Sequence, residues 1–175
     1  MSTLPSVAFL GLGHMGGPMA ANLVKAGYSV TGFDPVPAAQ EQATRDGLAV
    51  VASAVEAVGS ADVVVTMLPN GKLVLDLYDE ILSTAKADTL FVDSSTIDVA
   101  DAREAASRAQ AAGHRAIDAP VSGGVAGATA GTLAFMVGGS EADFGSLRRC
   151  SRSWVARSCT AAARATARPR RSATT

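Results

Sequence analysis

The sequence predicts a doubly wound α/β domain with a parallel sheet, and three observations support this prediction. Short apolar runs rich in β-branched residues alternate with amphipathic stretches throughout residues 1–147. The run at Asp62–Leu68 is almost entirely apolar, as expected for a strand that helices cover on both faces. Gly11 follows the first run directly and opens a glycine-rich turn before a helical stretch. Strands that alternate with helices in this way pair in parallel through right-handed crossovers.

Each element is assigned from its length and its hydrophobic period. Short runs of β-branched and apolar residues are typical of strands, and they lie at Val7–Gly11, Ser29–Asp34, Leu48–Val51, Asp62–Leu68, Leu90–Asp93, Ala116–Asp118 and Leu133–Val137. Longer stretches with helical period lie at Pro18–Ala26, Ala38–Asp46, Leu73–Ala85 and Val99–Ala112. The last of these helices is rich in alanine and is expected to stop at Gly113, because glycine is common just beyond a helix.

The charge composition divides the chain near Leu147. Residues 1–147 carry a net charge of −9, whereas residues 148–175 carry +8 and contain both cysteines and the single tryptophan. Two compositions that differ this much rarely belong to one folded unit. We therefore expect one folded domain over residues 1–147. The basic tail, 148–175, is expected to be disordered because it has too little apolar surface to fold.

A glycine motif and a distant acid indicate a dinucleotide site. Gly11, Gly13 and Gly16 form G-x-G-x-x-G between a predicted strand and a predicted helix. In this motif the first glycine permits a tight turn, the second lets the backbone approach a pyrophosphate, and the third lets helix and strand pack closely. Asp34 ends the second predicted strand, where a carboxylate would bind the ribose hydroxyls and repel a 2′-phosphate. A Rossmann-type domain that binds NAD rather than NADP is therefore expected.

The remaining loop residues complete the predicted cofactor contacts. Leu12, His14 and Met15 lie between the motif glycines, where their backbone would border the phosphates. The His14 side chain occupies a variable position of the motif, and we interpret it as a solvent-facing loop residue. No metal is expected at this site.

Four segments, in order, resemble the β-hydroxyacid dehydrogenases, the family that includes 3-hydroxyisobutyrate, tartronate semialdehyde and 6-phosphogluconate dehydrogenases. They are FLGLGHMGGPMAANLVKAG at Phe9–Gly27, MLPNG at Met67–Gly71, DSSTID at Asp93–Asp98 and DAPVSGGVAGATAGTLAFMVGG at Asp118–Gly139. The resemblance covers essentially all of residues 6–147. The third and fourth segments look most like those of the 3-hydroxyisobutyrate dehydrogenases, enzymes of valine degradation.

The resemblance implies roles for six further residues. Leu68 and Pro69 would border the adenosine side of the cofactor, and Thr96 would line its nicotinamide end. The substrate carboxylate would be held by Ser122, Gly123 and Gly124. Exposed N–H groups of glycines can form such an anion nest. Without the family, the Ser-Gly-Gly sequence is equally compatible with an ordinary turn.

Four other residues receive structural interpretations. Asp93 is expected to end its strand and cap the turn that follows, and His114 is expected to lie at the surface. Met67 and Met136 lie within apolar runs and are expected to pack in the core.

The general base of the family has no counterpart in this sequence. Removing the hydroxyl proton requires a base within hydrogen-bond reach, and in the family this is the lysine of a later G-x-G-x-x-x-K-x-x-N-N motif. No lysine follows Lys86 and no asparagine follows Asn70. The family's all-helical second domain, which also builds the dimer, is absent from this sequence. We therefore expect no catalytic residue in this polypeptide and no turnover by it.

Two hypotheses address the basic tail. If one nucleotide is lost near Arg149, each intended codon combines the last base of one tail codon with the first two of the next. With suitable third bases the tail then encodes a string ending in PGNGQAAKICNN, which contains the family's lysine motif. In the competing interpretation, the eight arginines of residues 148–175 form a genuine arm that binds nucleic acid through charge.

The resemblance therefore implies descent from an NAD-dependent enzyme that oxidises 3-hydroxyisobutyrate to methylmalonate semialdehyde, while this chain itself is expected to be inactive. One alternative is a dehydrogenase or reductase for another short β-hydroxy acid or its oxidised form, such as tartronate semialdehyde. The other is a non-catalytic NAD-binding module whose tail binds nucleic acid. No apolar run approaches the roughly 18 residues of a membrane-spanning helix, and residues 1–5 carry no basic signal-peptide region. A cytoplasmic location with no membrane partner is expected, and the family implies a homo-oligomer.

Overall fold

Six parallel strands form the central sheet of the computed structural model, which describes residues 4–138. They are β1 (Val7–Leu10), β2 (Val30–Phe33), β3 (Ala49–Val50), β4 (Val63–Thr66), β5 (Leu90–Asp93) and β6 (Arg115–Asp118). Their spatial order is β3-β2-β1-β4-β5-β6, so the chain winds outward in both directions from β1 and β4. This order confirms the predicted doubly wound fold class. The predicted domain boundary at residue 147 and the basic tail lie outside the described residues.

Helices connect the strands and cover both faces of the sheet. They are α1 (Gly16–Lys25), α2 (Pro37–Arg45), α3 (Ala54–Val58), α4 (Gly71–Ile81), α5 (Val99–Ala111) and the short α6 (Gly124–Ala130). Successive strand side chains point to opposite faces, so Phe9 and Leu10 enter two different cores. Phe9 packs with Met19 of α1 on one face, and Leu10 packs with Tyr78 of α4 on the other. No helix within residues 4–138 is long and apolar enough to cross a membrane.

The last part of the described chain departs from the parallel pattern. The expected strand Leu133–Val137 contains β8 (Ala134–Phe135), which pairs antiparallel with β7 (Val121–Ser122) instead of joining the parallel sheet. The chain between β7 and β8 contains only α6 and the left-handed turn at Gly131, so it reverses direction without a full crossover. Neither α3 nor α6 was expected. The first is too short to show a helical period, and the second consists of glycine, alanine and threonine with one valine, so it shows little apolar contrast.

Three expectations about single residues have clear outcomes. Met67 packs against the core as expected. The surface placement of His114 is wrong, because its ring is 7% exposed and its Nε2 lies 2.9 Å from the Leu82 carbonyl oxygen. The core placement of Met136 is also wrong, because its side chain is 50% exposed. Its chain neighbours Phe135 and Val137 are both buried, and successive side chains of an extended segment point to opposite sides.

Candidate functional site

The strand order places a crevice at the carboxyl ends of β1 and β4. The chain leaves β1 towards β2 on one side and later returns to β4 on the other, so the loops after these two strands diverge. Ligands of open α/β sheets bind at this topological switch point. The glycine loop follows β1, and Leu68 and Pro69 follow β4. The sequence-predicted cofactor residues thus share one edge of the sheet.

The three motif glycines have different surroundings. Gly11 has a φ of +96°, and a Cβ there would lie 2.4 Å from the carbonyl oxygen of Met67. A Cβ on Gly16 would lie 1.8 Å from the carbonyl oxygen of Gly11. A Cβ on Gly13 would meet nothing within 4 Å. Gly11 and Gly16 therefore permit the close packing of loop, strand and helix, while Gly13 keeps open the space that a ligand would enter.

The N-terminus of α1 carries free hydrogen-bond donors. The N-cap residue of α1 is Met15, whose side chain makes no capping hydrogen bond. In contrast, α3, α4 and α5 are capped by Ser53, Asn70 and Asp98. Among the described residues, no acceptor faces the N–H groups of the loop's last four residues, Gly13, His14, Met15 and Gly16. The His14 side chain is exposed at the loop. Uncapped N–H groups at a helix start, together with the helix dipole, favour a bound phosphate.

Asp34 connects the glycine loop to the loop after β2. Its side chain is 8% exposed, and its Oδ2 accepts a hydrogen bond from the Leu12 N–H at 2.7 Å. Its Oδ1 accepts a hydrogen bond from the Val36 N–H at 2.8 Å. Carboxylate oxygens have further lone pairs, so the same group can still accept ribose hydroxyls. The Leu12 side chain is buried in the core, so it anchors the glycine loop to the rest of the domain.

A second network connects the loops after β4 and β5. The Leu68 N–H donates to Ser95 Oγ at 2.9 Å. Asp93 Oδ1 accepts from Thr66 Oγ1 at 2.8 Å and from the Ser95 N–H at 3.1 Å, which confirms that Asp93 caps this turn. Burial raises the pKa of the Asp93 carboxyl, although its hydrogen bonds from Ser95 and Thr66 oppose this rise. Leu68 is thereby fixed relative to Thr96, which is exposed next to Ser95.

The Ser-Gly-Gly segment lies beside α1. Ser122, Gly123 and Gly124 are all exposed, and the two glycines have φ values of +132° and +60°. Side chains rarely adopt such values, so this turn requires glycine. Helix α6 starts at Gly124, and the Asn22 side chain of α1 donates from Nδ2 to the Ala128 carbonyl oxygen at 2.7 Å. This contact joins the segment to the helix that carries the glycine loop.

Sequence reasoning missed Asn22 and Ser95. Each makes a hydrogen bond to backbone far away in sequence, which a local pattern does not reveal. The available signal for Asn22 was a polar residue on an otherwise apolar helix face, with Met19 and Leu23 as buried neighbours. Ser95 lies within the DSSTID segment, where only Thr96 was expected to contribute.

These residues fit a bound NAD. Open space at Gly13 and the free N–H groups after it suit a pyrophosphate, and Asp34 suits unphosphorylated ribose hydroxyls. A negative carboxylate at Asp34 would repel the extra phosphate of NADP. Leu68, Pro69 and Thr96 lie at the same edge, where the two ends of the dinucleotide would extend.

Comparisons with known proteins agree with this geometry. A 3-hydroxyisobutyrate dehydrogenase (marked probable) of Mycobacterium tuberculosis is 58% identical over 138 residues, which are 79% of this chain and 47% of that protein. An NAD-dependent L-serine dehydrogenase of Pseudomonas aeruginosa is 48% identical over 139 residues, 78% of this chain and 47% of that protein. The solved structure of M. tuberculosis 3-hydroxyisobutyrate dehydrogenase with L-serine superposes with a TM-score of 0.86 at 52% identity, covering 90% of this chain and 54% of that one.

The chain spans about half the length of the curated relatives it matches. The family model for the NAD binding domain of 6-phosphogluconate dehydrogenase matches residues 6–162, which is most of the chain. The expected cofactor class is confirmed at the level of that family. This chain belongs to the family of the NAD binding domain of 6-phosphogluconate dehydrogenase.

Proposed function

We propose that this chain is the cofactor-binding part of an NAD-dependent dehydrogenase that oxidises 3-hydroxyisobutyrate to methylmalonate semialdehyde. The observation that carries the proposal is the arrangement around α1. The uncapped N-terminus of α1 offers donors to a pyrophosphate, and Asn22 of the same helix contacts α6 behind the exposed Gly123 and Gly124. Cofactor and substrate would therefore meet at one edge of the sheet, as hydride transfer requires.

The residues of the chain would bind and orient the two reactants. The N–H groups of Gly13 and its neighbours would hold the pyrophosphate, and Asp34 would hold the adenosine ribose. The hydroxyl of Ser122 and the N–H groups of Gly123 and Gly124 would hold the substrate carboxylate. When bound, NAD supplies a nicotinamide that accepts the hydride leaving the hydroxyl-bearing carbon.

A general base must remove the hydroxyl proton as the carbon is oxidised. The three lysines of the sequence are Lys25, Lys72 and Lys86. Lys25 lies at the end of α1 remote from the glycine loop, and Lys86 pairs with Asp62 just before β4 at the opposite edge of the sheet. Lys72 pairs with Asp76 on the exposed face of α4. Two of the lysines are paired with carboxylates and Lys25 lies at the far end of α1, so we propose that no lysine of the sequence acts as the base and that the 175-residue polypeptide does not catalyse the oxidation.

The substrate is a short 3-hydroxy acid in our proposal. Two related proteins carry names that include 3-hydroxyisobutyrate and L-serine, and these acids share a carboxylate and a CH₂OH group. They differ only in a methyl or an ammonium group on the carbon between. In this proposal the Ser122–Gly124 segment would contact the shared carboxylate, so the substituent would be selected by other residues. The expected cytoplasmic location and homo-oligomeric assembly belong to this proposal as well.

Catalytic activity is tested on the protein encoded by a gene whose reading frame has been restored near Arg149. Resequencing the DNA beyond Leu147 comes first, because an open frame encoding the lysine motif supports the frameshift hypothesis. NADH formation at 340 nm is then followed with 3-hydroxyisobutyrate and with L-serine, and NADH consumption is followed with tartronate semialdehyde, which the enzyme would reduce. We expect the highest kcat/KM with 3-hydroxyisobutyrate and NAD. A higher kcat/KM for either of the other two compounds contradicts the proposed substrate. A separate DNA-binding assay tests the non-catalytic alternative, which salt-sensitive binding by residues 148–175 would support.

A further inference from the structure

Asn22 is a polar residue on the apolar face of α1. Its helix neighbours Met19 and Leu23 are buried in the core, whereas Asn22 is half-buried and faces α6. Its Nδ2 donates to the Ala128 carbonyl oxygen at 2.7 Å, across a sequence separation of 106 residues. A half-buried amide needs such a partner, because an unpaired buried donor is costly. The contact therefore determines how α6 lies against α1.

The Ala128 carbonyl lies in the last turn of α6, where carbonyl groups lack partners within the helix. The nearest backbone donor is the Gly131 N–H, at a long 3.4 Å. Gly131 has a φ of +67° and ends the helix, and a Cβ there would already contact the Asn22 amide at 3.5 Å. Asn22 thus supplies from another helix the cap that the C-terminus of α6 needs.

A fixed C-terminus also fixes the start of so short a helix. Helix α6 has 7 residues, Gly124–Ala130, and a helix of that size is only about 10 Å long. Its apolar contacts, made by Ala128 and by Leu133 against Gly127, are not directional. The hydrogen bond from Asn22 has a required direction, so it constrains how the end of α6 lies against α1. The Gly123–Gly124 turn is continuous with that helix, because α6 starts at Gly124.

We propose that Asn22 is a positioning residue that holds the Gly123–Gly124 turn in the geometry that binds the substrate carboxylate. The proposal rests on the proposed function in one respect, the assignment of this turn to the carboxylate. Helix α1 then serves both ligands, because its first turn faces the pyrophosphate and its Asn22 anchors the carboxylate turn. Loss of the Asn22 donor should weaken acid binding and leave NAD binding unchanged.

The test uses the full 175-residue chain, labelled with ¹⁵N, and the variant Asn22→Asp, which has the same shape but no amide donor. Saturating NAD is added first and sodium 3-hydroxyisobutyrate is then titrated, with the amide resonances of Gly123 and Gly124 as the readout. Amide hydrogen exchange is measured on the same samples. Gln110→Glu is the matched control, because it makes the same amide-to-carboxylate change at an exposed residue of α5. Asn22→Ser, whose short hydroxyl introduces no buried charge, serves if the aspartate variant does not fold.

We expect Asn22→Asp to raise the Kd for the acid about five- to tenfold, as for the loss of one well-formed hydrogen bond, with the Kd for NAD changed less than about twofold. Exchange of the Gly127 and Thr132 amides should accelerate, because their bonds to Gly123 and Gly127 define α6. Exchange at Val64 in β4 should stay as in the control.

Three results overturn the assignment, and they differ from one another. Unchanged acid affinity together with unchanged Thr132 exchange shows that Asn22 does not position the turn. Faster exchange at Val64 with weaker NAD binding shows a general loss of stability. A parent chain that binds NAD but not the acid refutes the proposed carboxylate site itself. The positioning role of Asn22 is then refuted as well, because it depends on that site.

Discussion

Asp34 Oδ2 accepts a hydrogen bond from the Leu12 N–H at 2.7 Å, so the acid expected to hold the ribose also holds the glycine loop. Its other oxygen accepts from the Val36 N–H at 2.8 Å. One buried carboxylate therefore joins the loops after β1 and β2 before any ligand binds. The proposed NAD site is in this way organised in advance, which would lower the entropic cost of binding.

Replacement of Asp34 by asparagine should damage this organisation. The asparagine amide presents two donors and one acceptor oxygen, so it meets either the Leu12 N–H or the Val36 N–H with another donor. We expect the Kd for NAD to rise about tenfold or more, since a buried donor left unpaired costs roughly 1–3 kcal/mol. Isothermal titration calorimetry measures this. Asp46→Asn at the exposed end of α2 is the control, and equal NAD affinity in both variants would contradict the role of Asp34.

Alanine at two motif glycines should have opposite effects. Gly16→Ala places a Cβ 1.8 Å from the Gly11 carbonyl oxygen and should destabilise the fold strongly. Gly13→Ala meets nothing within 4 Å and should leave the melting temperature unchanged. The Gly13 variant should still lose NAD affinity, about tenfold, because its methyl group occupies the space that the pyrophosphate needs. Thermal unfolding measures the effect on stability, and calorimetry measures the effect on NAD affinity. Normal NAD binding by Gly13→Ala would contradict the placement of the pyrophosphate at Gly13.

Adjacent buried serines provide a matched pair. Ser95 Oγ accepts the Leu68 N–H at 2.9 Å, whereas the buried Ser94 Oγ has no partner among the described residues. Ser95→Ala leaves the Leu68 N–H unpaired and should lower the free energy of unfolding by about 1–2 kcal/mol. Ser94→Ala removes an unsatisfied hydroxyl and should be neutral or stabilising. Urea unfolding measures both changes. Equal losses of unfolding free energy in the two variants would show that the Leu68–Ser95 hydrogen bond does not stabilise the fold.

Asp62 should make stability depend on pH in the acid range. Hydrogen bonding from Lys86, followed by the Ser6 N–H, lowers the pKa of Asp62 from 3.8 to about 2. A carboxyl whose pKa is lower in the folded state stabilises the fold above its unfolded pKa. That contribution is lost as the pH falls from about 4 towards 2. The side chain is 43% exposed, so solvent screening limits the contribution to roughly 1 kcal/mol.

The variant Asp62→Asn tests this contribution. We expect it to be less stable than the parent chain at pH 7 and the difference to be smaller at pH 2.5, as measured by urea unfolding at both values, because the contribution is lost only as the pH falls through the folded pKa. The exposed Asp46→Asn is again the control. A stability difference that persists unchanged at pH 2.5 would show that the ionised carboxylate is not its source.

The parallel strands were predictable because their signals are local. A strand buried on both faces, such as Val63–Thr66, is a continuous apolar run, and the glycine motif is contiguous in sequence. The contacts that organise the site are not local. Asn22 contacts Ala128, and Leu68 contacts Ser95, only after the chain has folded. No spacing in the sequence therefore predicts these two hydrogen bonds. The structure also pairs 134–135 with 121–122 in antiparallel fashion, which hydrophobicity alone does not distinguish from a parallel strand.

His114 illustrates a different limit. Its position between a helix stop and a strand suggested exposure, yet the ring packs 5.2 Å from Phe91 and bonds the Leu82 carbonyl oxygen. A histidine can satisfy one ring nitrogen with a carbonyl and bury the rest of its surface among aromatic side chains. Its burial therefore follows from its tertiary neighbours, Leu82 at the end of α4 and Phe91 in β5, and not from its residue type.

Calorimetric titration of the folded 175-residue chain with NAD, and with NADP in parallel, tests whether the glycine loop and Asp34 form an NAD site. We expect saturable binding of NAD with a Kd below about 1 mM, which corresponds to roughly −4 kcal/mol, and weaker binding of NADP because of the Asp34 carboxylate. Circular dichroism of the same sample establishes that the chain is folded. A folded chain that shows no saturable NAD binding, or that binds NADP more tightly, would contradict the assignment of the glycine loop and Asp34.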